Sequence, residues 1–239
     1  MTDAYVRGTG VTRTFGDVTA LADVSVEIPG GTVVALIGPN GSGKTTLLRI
    51  LAGLLSPTDG EVHYEGPSAT RPLGYLPQEP SFRPGYTTAE TAAFYARLAD
   101  DDPSELLERV GLGTVPDRPV EALSGGMTRL LGIAQALAGE PPVLALDEPA
   151  SGLDPVMSGR VFDIVEALAA DGHAVVVTSH DLPLVERAAD RIVVLDRGSV
   201  VAADTPAALR ERTGGPLHET FASLVDAGDD VAVRTETNR

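Results

Sequence analysis

The sequence has no cysteine, which excludes disulfide scaffolds, thiol catalysis and thiolate-held zinc. Lysine is almost missing as well. Lys44 is the only one, and every other side chain in the Lys+Arg total of 18 is arginine. Positive charge is the minority sign, with 34 Asp+Glu and a formal net charge of −16. A surface of that sign disfavours direct contact with nucleic acid, whose phosphates call for clustered Lys and Arg. Acid excess with lysine depletion is the pattern of a cytoplasmic protein in a high-salt cell, where screening relieves the repulsion between hydrated carboxylates. Long apolar runs are lacking. Stretches such as Val33–Ile37 and Val143–Leu146 fall far short of the roughly 20 residues a spanning helix needs. The opening Met1-Thr2-Asp3-Ala4-Tyr5 lacks the basic and apolar segments of a secretory signal. These absences predict a cytoplasmic chain that does not insert into a membrane and reaches one only through a partner. The 4 histidines are scattered, which argues against a His-rich metal site.

What is present suits a globular protein: 239 residues, 43% hydrophobic and 22% charged, enough for one large domain or two small ones. Tyr5–Arg13 and Val24–Ile28 read as strands, and Pro29-Gly30-Gly31 as a turn. Thr32–Ile37 reads as a buried strand, Gly38–Gly43 as a glycine-rich loop, Lys44–Leu54 as a helix and Val62–Tyr64 as a short strand. Helices are predicted over Thr88–Ala99 and Pro103–Val110, joined by an acidic turn at Asp100–Asp102, with Ser104 as N-cap of the second. Met127, Leu130, Leu131, Ala134 and Leu137 recur at helical spacing, so about 75–135 reads as a helical insertion. Strand and helix then alternate through Val143–Leu146, Pro155–Ala170, Ala174–Thr178, Leu182–Ala189 and Ile192–Asp196. That alternation implies an α/β fold with a mostly parallel sheet covered on both faces. Terminal helices are expected at Thr205–Arg212 and Leu217–Leu224, then a polar, frayed tail over 226–239.

Three local patterns carry chemistry. Gly38-Pro39-Asn40-Gly41-Ser42-Gly43-Lys44-Thr45 fits G-x4-G-K-[ST] between a buried strand and a helix. Small residues let backbone N–H groups curl around phosphate oxygens at a helix N-terminus. Lys44 would neutralise the β- and γ-phosphates, Thr45 would hold Mg²⁺ and Thr46 would reach the α-phosphate. A chain that has replaced lysine everywhere else keeps it where an ammonium point charge is needed. The second pattern, Val143-Leu144-Ala145-Leu146-Asp147-Glu148, is an apolar strand ending in two carboxylates. Asp147 would orient Mg²⁺, and Glu148 could polarise an attacking water. In the third, Leu123-Ser124-Gly125-Gly126 precedes the helix beginning near Met127, and Ser124 acts either as N-cap or as a phosphate donor. One nucleotide needs one cradle, so two cradles point to a head-to-tail homodimer in which the second cradle of one copy closes over the nucleotide of the other.

Together these residues resemble the ATP-binding subunits of ABC transporters over nearly the whole chain. In that likeness Gly38–Thr45 is the Walker A motif, Leu144–Glu148 Walker B, Leu123–Met127 the signature, and Ser151-Gly152-Leu153-Asp154 the D-loop. The resemblance implies that Gln78 links Mg²⁺ and the attacking water to a transmembrane partner. It also implies that His180 contacts the γ-phosphate, that Phe15 stacks on adenine, and that Asp154 serves the paired site. The implied fold over 1–225 is a P-loop NTPase (RecA-like) core with an N-terminal antiparallel β subdomain and an inserted α-helical subdomain. The implied reaction is ATP hydrolysis in a dimer that drives a separate membrane permease. Three residues depart from the family pattern: Met127 where the signature carries glutamine, Phe15 for tyrosine, and Ala150 for threonine. Phe82, Tyr86, Phe94 and Tyr95 could form a docking groove for the permease; the alternative is that Phe94 and Tyr95 are core of the helical insertion. The Leu-Ser-Gly-Gly-Met variant and Phe-Tyr-Ala-Arg-Leu at 94–98 resemble subunits of ABC-2 type exporters; an importer subunit, or a soluble ABC ATPase outside transport, is the alternative.

Overall fold

In the computed structural model, which describes residues 3–99 and 101–225, the strands gather into two sheets. Asp100 and the tail expected over 226–239 lie outside the described residues. Strands β1 (Ala4–Phe15) and β2 (Val18–Pro29) form a hairpin, and β4 (Asp59–Tyr64) pairs with the other side of β1 in an antiparallel order β2-β1-β4. The larger sheet contains β3 (Val33–Ile37), β5 (Leu73–Leu76), β6 (Val143–Leu146), β7 (Ala174–Thr178), β8 (Arg191–Asp196) and β9 (Ser199–Asp204), in the order β5-β6-β7-β3-β8-β9. Its pairings are parallel from β5 to β8, and β9 returns antiparallel to β8. That return is a two-residue turn with Arg197 at φ 47° and Gly198 at φ 80°, the twist-matched geometry of a tight hairpin.

Strands β3, β6 and β7 are buried at every residue, as strands covered on both faces should be. Their side chains divide by the two-residue period of the pleat. Val33, Ala35, Ile37, Leu144, Leu146, Val175 and Val177 pack into one core with the central and C-terminal helices. Val34, Leu36, Val143, Ala145, Ala174 and Val176 pack into a second core with the first helix and the antiparallel sheet.

The helices are α1 (Lys44–Leu51), α2 (Thr88–Ala99), α3 (Pro103–Arg109), α4 (Gly125–Leu137), α5 (Pro155–Ala170), α6 (Leu182–Ala188) and α7 (Pro206–Thr213), and residues 217–225 are helical too. Helix α1 stops three residues short of the expected Leu54. Gly53, at φ 68°, turns the chain so that its N–H and that of Leu54 return to the carbonyls of Ile50 and Arg49. The cap of α3 also differs from expectation. Asp102, not Ser104, is the N-cap: its Oδ1 accepts from the Ser104 N–H at 2.8 Å, and Pro103 takes the first helical position. The boundary read near 75 falls inside β5, which pairs in register with β6, so the helical run begins only after Leu76.

Candidate active site

The parallel register brings the carboxyl ends of β3, β5, β6 and β7 to one edge of the sheet, where ligand crevices of open α/β folds form. Each strand is followed there by a sequence-predicted residue: Gly38 after β3, Gln78 after β5, Asp147 and Glu148 after β6, and His180 after β7. A cavity of about 230 Å³ brings Lys44, Thr45, Thr46, Gln78, Glu148 and His180 together with Asn40, Gly41 and Gly43. Gly43 enters α1 at φ 103°, and a Cβ there would lie 2.7 Å from the Ala20 carbonyl oxygen, so the sharp entry into the helix requires glycine.

Lys44 is buried, and its Nζ donates to the carbonyl oxygens of Gly38 (2.9 Å) and Pro39 (3.0 Å). Burial lowers its pKa, opposed by the nearby Glu148 and Asp147 carboxylates. Ser42 Oγ is buried beside Gly38 with no hydrogen-bond partner, and Ser42 is not among the residues lining the cavity. Asp147 is fully buried, and its Oδ1 accepts from the Thr45 hydroxyl at 3.0 Å and the Thr178 hydroxyl at 2.8 Å. The Tyr75 hydroxyl reaches its Oδ2 at 3.4 Å.

Glu148 has φ 48°, a left-handed conformation that costs a residue with a Cβ about 1–3 kcal/mol. Its N–H donates to Thr178 Oγ1 at 2.8 Å, which fixes the turn. Burial raises the Glu148 pKa. His180 and Lys44 oppose the rise, and Asp147 adds to it. His180 Nε2 stands 3.0 Å from Glu148 Oε1, an oxygen buried without an aligned hydrogen bond.

An anion with a divalent cation fits these groups. The orphaned Ser42 hydroxyl, the loop amides and an ammonium with two of its three donors on neutral carbonyls suit phosphate oxygens. The Thr45 hydroxyl and Asp147 carboxylate are the hard oxygen donors that Mg²⁺ takes.

Ser124, Gly125, Gly126 and Asp154 are not brought into this cavity. Ser124 is the N-cap of α4, with Oγ accepting from Met127 N–H at 3.3 Å, and Asp154 caps α5 through the amides of Val156 and Met157 at 3.0 Å each. Phe15 is 47% exposed at the end of β1, also outside the cavity lining, with the Arg13 guanidinium 4.5 Å from its ring centre. The Met127 thioether accepts from Arg118 at 3.3 Å. The aromatic cluster divides between its two readings: Phe82 and Tyr95 pack against the core, while Phe94 is exposed and meets Tyr95 edge-on at 5.2 Å.

Sequence reasoning missed Thr178, Tyr75 and Arg129. Thr178 and Tyr75 sit inside strands, where nothing local marks them. Arg129 carried a readable signal, a cation within the apolar periodicity of α4.

The ABC transporter family model matches residues 21–151. The chain is 36% identical over 196 residues to the lantibiotic transport ATP-binding protein SrtF of Streptococcus pyogenes, covering 79% of this chain and 86% of that protein. It is equally identical, over 229 residues, to the daunorubicin resistance ATP-binding protein DrrA3 of Streptomyces coeruleorubidus (90% and 72%). The same identity holds over 246 residues to the phosphonates import ATP-binding protein PhnC 2 of a Synechococcus strain (90% and 91%). Among solved structures, an ATP-binding subunit of an ABC transporter superposes with a TM-score of 0.81 at 26% identity, covering 92% of this chain and 99% of that one. The dimeric cassette MJ0796 does so with a TM-score of 0.74 at 27% identity, over 84% and 98%. With its P-loop fold, its phosphate cradle and this likeness over most of its length, the chain belongs to the ABC transporter family, as an ATP-binding, ATP-hydrolysing cassette.

Proposed function

We propose that this chain hydrolyses Mg-ATP in a head-to-tail homodimer and drives a separate membrane permease, in the direction of export. The observation that carries the reading is the convergence of Lys44, Thr45, Gln78, Glu148 and His180 on one cavity beside the buried Asp147. In the reaction, water adds to the γ-phosphorus, Glu148 takes a proton from that water, and ADP departs with the electrons of the broken P–O bond. His180, held 3.0 Å from Glu148, faces the phosphoryl group, and Gln78 orients the water. Thr45, Asp147 and Gln78 would hold Mg²⁺, which when bound neutralises charge on the phosphates. The chain's own contribution is positioning and fixed charge. Phe15, half exposed and with the Arg13 guanidinium over its ring, would supply the stacking surface for adenine.

Pairing is supported by what the cavity leaves out. The caps Ser124 and Asp154 and the glycines 125 and 126 lie elsewhere on the same chain, so a second copy is the natural source of a lip over the nucleotide. An open groove of about 700 Å³ next to the cavity shares Glu148 and His180 with it and includes Ser151 and Gly152, so the site continues onto a surface where a twin can sit. The solved structure described as a dimeric cassette supports pairing as such. Export is favoured by relatives named for lantibiotic transport and daunorubicin resistance, together with Met127 and the 94–98 run; the relative named for phosphonate import supports the opposite direction. No helix among the described residues is long and apolar enough to cross a membrane, so the permease would hold the chain at the cytoplasmic face, with the exposed Phe94 at the docking surface. Co-purification from membranes with the permease encoded beside it, followed by ATPase assays with and without that partner, tests the assignment. Stimulated turnover is expected; a chain that never fractionates with membranes and is indifferent to the partner overturns it. Inside-out vesicles that accumulate substrate on ATP addition establish export, and right-side-out uptake establishes import.

A further inference from the structure

Arg129 lies on α4, five positions after Ser124, yet its side chain is turned inward and the residue is 8% exposed. One guanidinium nitrogen, Nη1, donates to the Gln78 carbonyl oxygen and, at 3.5 Å, to that of Pro77. The other, Nη2, donates to the Ser151 carbonyl oxygen at 3.3 Å. A single cation therefore spans two loops: one carries Gln78 after β5, and the other descends from Glu148 after β6. Among the described residues no carboxylate pairs with it directly. Burial lowers its pKa, and only the more distant charges of Glu79, Glu148 and Asp147 oppose that shift.

A buried guanidinium facing neutral carbonyls is a costly way to fill space. The neighbours Leu130, Leu131 and Ile133 do the same packing with apolar side chains. What arginine adds is its rigid planar fork, whose two Nη groups each hold a different backbone segment in a fixed relative geometry, whereas an ammonium is a point charge on a flexible stem and a thioether has no donor. The two loops have few other ties. Asp147 N–H meets the Leu76 carbonyl where the strands end, and Ser151 N–H returns locally to Glu148. The Nη1 and Nη2 bonds thus fasten the helix that begins with Ser124, Gly125 and Gly126 to Gln78 itself and to Ser151, three residues beyond Glu148 on the same loop.

We propose that Arg129 is a positioning residue for hydrolysis. It transmits the placement of α4 to Gln78 and Glu148, and has no part in holding the nucleotide. The cradle residues Lys44, Thr45 and Thr46 sit on α1, and the hydrogen bonds of Lys44 and Thr45 go to Gly38, Pro39 and Asp147 rather than to Arg129, so loss of the clamp should touch nucleotide affinity little, through Gln78 alone. The inference rests on Glu148 and Gln78 serving the water, as proposed above.

The test compares R129M, which keeps the bulk, and R129K, which keeps the charge, with wild type in the full-length chain. The measurements are steady-state ATPase, binding of a fluorescent ATP analogue, and thermal unfolding. Loss of the clamp is expected to lower kcat by about 10–100-fold in both variants, while KM and analogue affinity stay within about twofold. In a Gln78→Ala background the further loss should be about twofold or less, because the two act as a unit. Wild-type kcat in R129M overturns the clamp, as does a loss fully additive with Gln78→Ala. If R129M does not fold, R129K decides alone: lowered kcat at unchanged KM supports the clamp, and full activity with restored stability reduces Arg129 to a buried charge. Glu148→Gln is run beside them. If that variant turns over ATP like wild type, the site assignment falls and the clamp with it; if it is inactive while R129M is not, only the clamp falls.

Discussion

Glu148 sits under two opposing pressures. Burial resists its ionisation, while His180 and Lys44 favour it, and the pKa is raised on balance. A carboxyl whose folded pKa lies above its unfolded one contributes most to stability below the unfolded value, and that contribution is lost as pH rises through the folded value. Glu148→Gln removes the group that must ionise in the fold. In nucleotide-free protein it should therefore unfold at a higher temperature than wild type at pH 8, with the gap closing as the pH is lowered toward the carboxylate range. Scanning calorimetry across that range checks the sign; a variant less stable at pH 8 contradicts it. Under the proposed role of Glu148 as base, the same substitution should leave ATP binding intact while turnover falls by about 10²–10⁴-fold, and the ATP-bound dimer should persist on a sizing column. Lys44→Ala acts on binding instead. If the ammonium serves the phosphates as proposed, titration of this variant with ATP should show affinity lower by tenfold or more, on the order of 1.5–3 kcal/mol for a charge-assisted hydrogen bond. At this scale the cradle was legible because its residues are contiguous, and glycine, lysine and threonine in that order have a single chemical use. Thr178 and Tyr75 were not legible: a hydroxyl at a strand end acquires a role only when another strand brings Asp147 beside it, and that pairing is non-local.

The elements follow the same division between local and distant causes. Helices α2 and α5 were readable to the residue: propensity and the apolar period agree in both, and proline at the first helical position marks the start of α5. Strand β5 was not. Its four residues Leu73–Leu76 include a glycine and lie between two prolines, a sequence that looks like a turn. The glycine has a tertiary cause: a Cβ on Gly74 would come within 2.1 Å of the Ala136 carbonyl oxygen on α4, so the close seating of α4 on β5 dictates it. Strand β9 was missed because its partner β8 supplies the pairing, and its own pattern alternates weakly. The cap of α3 was misread in favour of Ser104 because serine is a common N-cap, but Pro103 fixes the first helical position and moves the capping role to the residue before it. Asp102→Ala should therefore lower stability by about 1 kcal/mol. Ser104→Ala should stay within about 0.5 kcal/mol of wild type, as expected of an exposed substitution. Equilibrium urea unfolding of the two variants discriminates them, and a larger loss at Ser104 would return the cap to that residue.

Charge belongs to the whole molecule. A net −16 spread over a fold of this size is not neutralised by the arginine pairs on its surface. Arg187 with Asp163 and Glu166, Arg210 with Glu186, and Arg212 with Asp204 are exposed or half-exposed, and such surface pairs contribute between nothing and about 1 kcal/mol each. The surplus carboxylates repel one another, and dimerisation would bring two such surfaces together. Raising salt shortens the screening length from about 10 Å at 0.1 M to about 3 Å at 1 M, so repulsion across a surface fades while contacts buried in the site are little affected. Two consequences separate at this scale. Within one subunit, the unfolding temperature should climb as KCl rises from 0.1 to about 2 M, a range chosen to span that change in screening. Between subunits, the ATP-loaded Glu148→Gln protein should move from monomer toward dimer over the same range, because bringing like-charged surfaces together costs least when they are screened. Light scattering on that variant, with ATP present throughout, measures the second effect free of turnover. A dimer fraction that falls as salt rises would show that attraction between opposite charges, rather than apolar and phosphate contacts, holds the twin subunits together, and would contradict the screening argument.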